Sequence, residues 1–147
     1  NQLSGMTSAS MPSGSVLQVL TMEYATSMTL ATTTYTDSGL SLSITPSSTS
    51  SKILAFWTMQ ANCDTAGSGF GTKLVRGSTS VWTSYNAYDV LSQSGGDRLA
   101  KDYRYLDSPN TASAITYKVQ VASHANRLIY VNGDGTQTQL TLMEIQG

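Results

Sequence analysis

His124 is the single histidine and Cys63 the single cysteine, so nucleophilic chemistry would have to be built around one of them. Ser and Asp abound, which leaves a Ser-His-Asp arrangement open, but the G-x-S-x-G elbow that exposes such a serine is absent. His124 sits in Ala122-Ser123-His124-Ala125-Asn126, a pattern that reads as a turn between two strands. Cys63 lies in Asn62-Cys63-Asp64 at a strand end. A catalytic thiol needs a positioned base, and a structural thiol fits this setting better. One Cys and one His cannot complete a tetrahedral zinc site without carboxylates, so no metal is expected. A lone cysteine also forms no internal disulfide.

Two further patterns invite a test. Gly67-Ser68-Gly69-Phe70-Gly71-Thr72-Lys73 resembles a phosphate loop, but such loops need a helix after the glycines. Here the strand-like run Thr72 to Arg76 follows, so a glycine-rich hairpin turn is expected. Asp89, Asp97, Asp102 and Asp107 could pair as glycosidase carboxylates, yet Arg98, Lys101 and Arg104 are interleaved with them. Salt-bridged packing suits that mixture better. Asp134 lies in a glycine turn without the spacing of an EF-hand loop. No catalytic residue, cofactor or metal is assigned, and the chain is read as non-enzymatic.

The elements that would position these side chains are strands. Across 147 residues only 12% are charged, about half the usual share, while 42 are Ser or Thr. That composition excludes a coiled coil, and a net charge of -1 argues against a nucleic-acid partner. No apolar run reaches the ~20 residues of a spanning helix, so no membrane insertion is expected. Helix formers never accumulate, whereas alternation recurs. Leu40, Leu42 and Ile44 alternate with hydroxyl residues, as do Ile115, Tyr117, Val119 and Val121 with polar ones. Leu128 to Val131 and Gln137 to Gln146 flank the turn Asn132-Gly133-Asp134-Gly135. The spacing predicts an all-β antiparallel sandwich of about eight to ten strands. Residues 1–14 read as a connecting arm from a preceding stalk or domain, and 15–147 as one head domain.

Three strands are apolar on both faces: Val16 to Met22, Lys52 to Gln60, and the last. A sandwich strand needs one apolar face, so these predict a sheet covered a second time, by identical subunits or by a loop of the same chain. Trp57, Met59, Met143 and Ile145 are the candidates for an inter-subunit surface. The stretch from Ser84 to Ser108 shows no sustained period and reads as irregular. Its neighbourhood holds Trp82, Tyr85, Asn86, Tyr88, Arg98, Tyr103, Arg104 and Tyr105. Rings with amides and guanidinium groups are the composition of recognition surfaces. All of these except Tyr105 are the candidate ligand or receptor residues.

Thr36-Asp37-Ser38-Gly39-Leu40, running through Ile44-Thr45-Pro46 to Ser51-Lys52-Ile53-Leu54, resembles the C-terminal domains of tailed-bacteriophage fibre and receptor-binding proteins, especially of marine phages. Leu74 to Thr79, Tyr105 to Pro109, Tyr117 to Gln120 and Leu140 to Ile145 fit the same pattern, which covers roughly Gly14 to Gly147. The resemblance implies a β-sandwich head, a homotrimer and attachment to a host glycan or surface protein, on a virion tail fibre with other virion proteins at the N-terminal side. It carries no catalytic residue. In jelly-roll heads of the tumour-necrosis-factor type, the first, last and one early middle strand share the sheet facing the threefold axis, and the two-sided strands hold those positions here. A structural virion part without a ligand, such as a head fibre or decoration protein, is the alternative. A capsule-degrading tailspike fragment is a third reading, disfavoured by the short chain and the missing carboxylate motif.

Overall fold

The computed structural model describes Thr7, residues 10–84 and residues 89–147. Eleven strands are present among them: β1 (Val16–Tyr24), β2 (Met28–Leu30), β3 (Thr36–Ile44), β4 (Lys52–Cys63), β5 (Gly69–Arg76), β6 (Thr79–Thr83), β7 (Val90–Leu91), β8 (Asp97–Asp107), β9 (Ile115–Ser123), β10 (Ile129–Val131) and β11 (Thr138–Ile145). The excess over the expected number comes from β2 and β7, pieces too short to show alternation. No helix longer than one 3-10 turn occurs among the described residues.

The strands form two antiparallel sheets packed face to face. One runs β1-β11-β4-β10-β2 with β8 on the far side of β4; the other runs β3-β9-β5-β6 with β7 beside β5. Twelve residues make β4 long enough to pair with β11 along its first half and β10 at its end. The chain changes sheet between β2 and β3, β3 and β4, β4 and β5, β7 and β8, β8 and β9, and β9 and β10. That repeated crossing is jelly-roll topology. The three two-sided strands are neighbours in one sheet, β1-β11-β4, as their sequences predict.

The core lies between the sheets. From β4 it receives Ile53, Ala55, Trp57, Met59, Ala61 and Cys63, from β9 Tyr117, Val119 and Val121, and from β11 Leu140 and Leu142. Trp57 and Met59, assigned from the sequence to an inter-subunit surface, belong here instead, at 2% and 0% exposure. Both parities of β4 are apolar, so alternation alone does not say which one faces the partner sheet. The structure decides it: Trp57 Nε1 donates to Thr72 Oγ1 of β5 at 3.1 Å, and the ring stacks on Tyr103 at 5.3 Å between centroids. Gly39, at φ +93°, marks the irregularity in the β3–β9 pairing. A Cβ there would collide with the Tyr24 ring of the facing sheet, so glycine lets the two sheets meet.

Residues 97–107, read from sequence as part of an irregular segment, form a continuous edge strand. Its alternation is disguised because Asp97, Leu99, Lys101, Tyr103, Tyr105 and Asp107 all occupy inward positions. Inward charges on an edge strand discourage pairing with another sheet edge. Two of them are paired with an opposite charge, Lys101 with Asp89 at 2.7 Å and Asp107 with Arg76 at 2.8 Å, while Asp97 accepts a hydrogen bond from the Ser92 hydroxyl.

Candidate functional site

The residues able to do chemistry are dispersed by the fold. Cys63 is fully buried at the end of β4, and burial pushes its thiol up. His124 sits in the turn after β9 with Nδ1 2.9 Å from the Gly67 carbonyl. Gly69 opens β5, so a strand follows the glycine loop, as expected. Asp97 and Asp107 stand at opposite ends of β8, roughly 33 Å apart at strand rise. Asp102 points to the opposite face and accepts from Thr58 Oγ1. No two of these β8 carboxylates converge. Asp107 instead accepts from Tyr117 Oη at 2.6 Å as well as from Arg76. Burial and that carboxylate push the Tyr117 phenol far above its ordinary range. No group of three metal-ligating side chains occurs among the described residues.

Of the recognition candidates, the four that lie among the described residues, Trp82, Arg98, Tyr103 and Arg104, do not share one surface. Tyr103 is buried against Trp57, and half-buried Trp82 meets both rings edge-on at 5.3 and 5.4 Å. These two aromatics fasten the β6 edge to the core, which explains their occurrence without a ligand. Burial pushes the Tyr103 phenol far upward, as does the nearby Asp89 carboxylate. Arg98 and Arg104 are exposed, six positions apart on the outer face of β8. Tyr85, Asn86 and Tyr88 lie outside the described residues.

What the structure does assemble is the outer face of the six-stranded sheet. Cross-strand register sets Val19, Met143, Leu54 and Leu106 in one row over β1, β11, β4 and β8, with Val16 beside Ile145 below it. The next row is Thr21, Thr141, Phe56 and Arg104, and the one after is Glu23, Gln139, Thr58 and Asp102. Four of the five exposed large hydrophobics among the described residues stand on this face: Val16 at 50%, Val19 at 53%, Phe56 at 37% and Leu106 at 48%. Met143 and Ile145, expected at an inter-subunit surface, do face outward here and are half-buried. Leu54 and Phe56 occupy the place that the sequence reading gave to Trp57 and Met59. Their signal was legible as the second apolar parity of β4.

The apolar rows lie beside the pairing of residues 14 and 15 with Gln146, where Gly14 N donates to Gln146 O and Gln146 N to Ser15 O, each at 2.8 Å. At the opposite end the face is polar. Tyr130 of β10, Asn62 of β4 and Arg98 of β8 form a row there, and Asp134 reaches over it from the turn after β10. Sequence reasoning passed over Asn62 and Tyr130. They lie far apart along the chain and meet only through the β10–β4 pairing.

No protein-family model matches the chain, and no curated protein matches it. Among solved structures, the VP2 subviral particle of infectious bursal disease virus aligns at a TM-score of 0.45 and 12% identity, over 88% of this chain. The chain spans 37% of the length of that viral protein. No helix among the described residues is long and apolar enough to cross a membrane.

Proposed function

We propose that the chain is a non-enzymatic head domain of a virion attachment fibre, self-associating as a homotrimer and meeting a host glycan or surface protein with the end away from the Gly14 and Gln146 pairing. The observation that carries the self-association is the row Val19, Met143, Leu54 and Leu106 with Val16 and Phe56 beside it. Water would otherwise meet six apolar side chains on one sheet face, and a contiguous apolar patch of this kind marks an interface. A second copy is the occupant, because the row from Val19 to Leu106 is apolar across four strands and identical copies close a ring with no partner protein. The number three, the virion and the host rest on the resemblance of the sequence to phage fibre heads. The virion proteins that would adjoin it belong on the side where Gly14 and Ser15 pair with Gln146.

A structural virion role without a ligand has one specific observation in its favour, the burial of Tyr103 and the packing of Trp82 in the core. Light scattering coupled to size exclusion tests the first part of the proposal. Three chains per particle are expected, and Leu54→Asp with Leu106→Asp should release folded monomers. A wild-type monomer would overturn self-association. Labelled trimer is expected to decorate host cells; trimer that decorates none points to the ligand-free role. Depolymerisation of host polysaccharide would end the non-enzymatic assignment.

A further inference from the structure

We infer that the polar end of the outer sheet face is a binding site for a neutral pyranose saccharide, built by Tyr130, Asn62, Asp64, Asp134 and Ser27. This rests on the attachment reading and names the ligand class for it. The hollow is about 330 Å³ and is lined by these five residues and Gly133. That is the lower end of the size range of small-molecule sites, and suits one or two sugar rings.

Its parts are held by the fold rather than by one another alone. Tyr130 is the middle residue of β10, whose Ile129 and Val131 are fully buried, so the half-exposed tyrosine has a fixed backbone beneath it. β10 pairs with β2 on one side and β4 on the other, which sets Tyr130 directly beside Asn62. The turn above contains Asn132, Asp134 and Gly135 at φ 53°, 58° and 74°. Such left-handed residues persist only where the surroundings hold them. Here Asn132, 1% exposed, donates from Nδ2 to the Tyr24 carbonyl at 3.0 Å. The turn is thereby fixed to the end of β1, and Asp134 is presented over the row. Gly133 keeps the floor open, since a Cβ there would lie 2.8 Å from Asn62 Nδ2.

The chemistry follows from the partners already made. Asp134 Oδ2 accepts from Asn62 Nδ2 and from Arg98 Nη2, each at 2.7 Å. Asn62 Oδ1 is closed to solvent and has no hydrogen-bond partner among the described residues; a ligand hydroxyl pairs with it when the amide turns toward the hollow. Asp64 adds acceptors only, and Ser27 both donates and accepts. A surface rich in acceptors beside a flat ring matches the hydroxyls and the apolar C–H face of a pyranose. Two carboxylates against one guanidinium leave the hollow negative by one charge, which disfavours uronic acids, sialic acids and phosphorylated sugars. Repetition on three copies would add avidity to a weak single site.

Saturation-transfer NMR on the intact chain tests this, with methyl α-glucopyranoside, α-mannopyranoside and α-galactopyranoside as probes and methyl α-glucuronide as the anionic control. Transfer to the ring protons of at least one neutral probe is expected, with weaker transfer to the glucuronide. Tyr130→Ala should reduce it at least tenfold. Asp64→Asn, an exposed position that leaves the fold intact, should weaken it severalfold at an unchanged melting temperature. No transfer from any neutral probe, equal transfer in both variants, or preference for the glucuronide would overturn the site. Cell decoration separates this from the attachment reading. Wild-type decoration that survives Tyr130→Ala removes the site and keeps attachment; saccharide binding without decoration keeps the site and removes attachment.

Discussion

The two ends of the outer face of the six-stranded sheet share the long strands β4 and β8, yet their chemistry is opposite. Beside the pairing of residues 14 and 15 with Gln146, β1, β11, β4 and β8 present Val19, Met143, Leu54 and Leu106. At the other end β10, β4 and β8 present Tyr130, Asn62 and Arg98. The inner face is apolar along the whole of β4, from Ile53 to Cys63, so the fold places no demand on what stands outside. Outer residues are therefore free to answer to other surfaces. The proposed self-association would cover the apolar half, and the proposed saccharide would meet the polar, aromatic half.

Adjacent residues of β4 give the sharpest way to break that division. Trp57 is core and Phe56 is surface, although both are large aromatics in one strand. Trp57→Ala is expected to cost about 3–5 kcal/mol of folding stability, through the cavity and the lost partner of Thr72. Phe56→Ala should change single-chain stability by less than ~1 kcal/mol and act on self-association instead, making the melting temperature more dependent on concentration. Urea denaturation with light scattering on both variants separates the two effects. Equal destabilisation by both would erase the distinction between inner and outer faces.

That pair also shows how far the sequence carried. Alternation identified the strands at 40–44, 115–121, 128–131 and 137–146, and the two-sided apolar character of β1, β4 and β11 predicted their adjacency. It does not resolve which parity of β4 faces inward, because Leu54 and Phe56 make the second parity apolar beside Ile53, Ala55, Trp57 and Met59. β8 is hidden in the sequence because Asp97, Lys101 and Asp107 fill inward positions, and charge masks a period that Ser92, Asp89 and Arg76, all outside the strand, make tolerable. Trp82 and Tyr103 read as parts of a recognition surface because composition records ring content and not its direction. Trp82 and Tyr103 turn toward Trp57, a contact between three strands that no local pattern contains.

Glu144 tests the apolar end from beneath. It is 1% exposed, on the inner side of β11, under the row that carries Met143 and Ile145. Oε1 accepts from the Ser47 amide, the Ser47 hydroxyl and the Ser51 hydroxyl at 2.6–2.7 Å, and Oε2 from Gln18 Nε2 at 2.6 Å. Burial alone would raise its pKa, but the donors of Ser47, Gln18 and Ser51 outweigh it and hold the carboxyl below its ordinary 4.5. A depressed carboxyl stabilises the fold fully above the unfolded value and loses that contribution as pH falls through the folded one. Stability is therefore expected to decline once pH drops below about 4.5. Glu144→Gln should cost about 1–3 kcal/mol at neutral pH and flatten the acid decline, read from urea midpoints between neutral and acidic pH. Asp37 is lowered by Gln120 and Lys118, so a residual slope should survive. An unchanged acid decline in the variant would show that the apolar end does not depend on this carboxylate.

The smallest effect belongs to the polar end, and it contrasts two arginine pairs. Arg76 meets Asp107 where the side chains are 26% and 7% exposed, with Tyr117 as a third partner. Arg98 meets Asp134 at 63% and 54% exposure, in water on both sides. Equal bond lengths within 0.1 Å do not make them equal, because solvent screens the second pair and not the first. Arg76→Gln is expected to cost about 1–3 kcal/mol, since it leaves a nearly buried carboxylate with one partner fewer. Arg98→Gln should cost less than ~0.5 kcal/mol, a value at the floor of exposed ion pairs. It would nonetheless make the hollow beside Tyr130 more negative by one charge, so any binding of an anionic saccharide should weaken while neutral probes keep most of theirs. Paired urea titrations and saturation-transfer spectra on Arg98→Gln read both consequences in one protein. A loss above ~1 kcal/mol would mean that the polar end supports the fold as the inner face does, which is what the comparison denies.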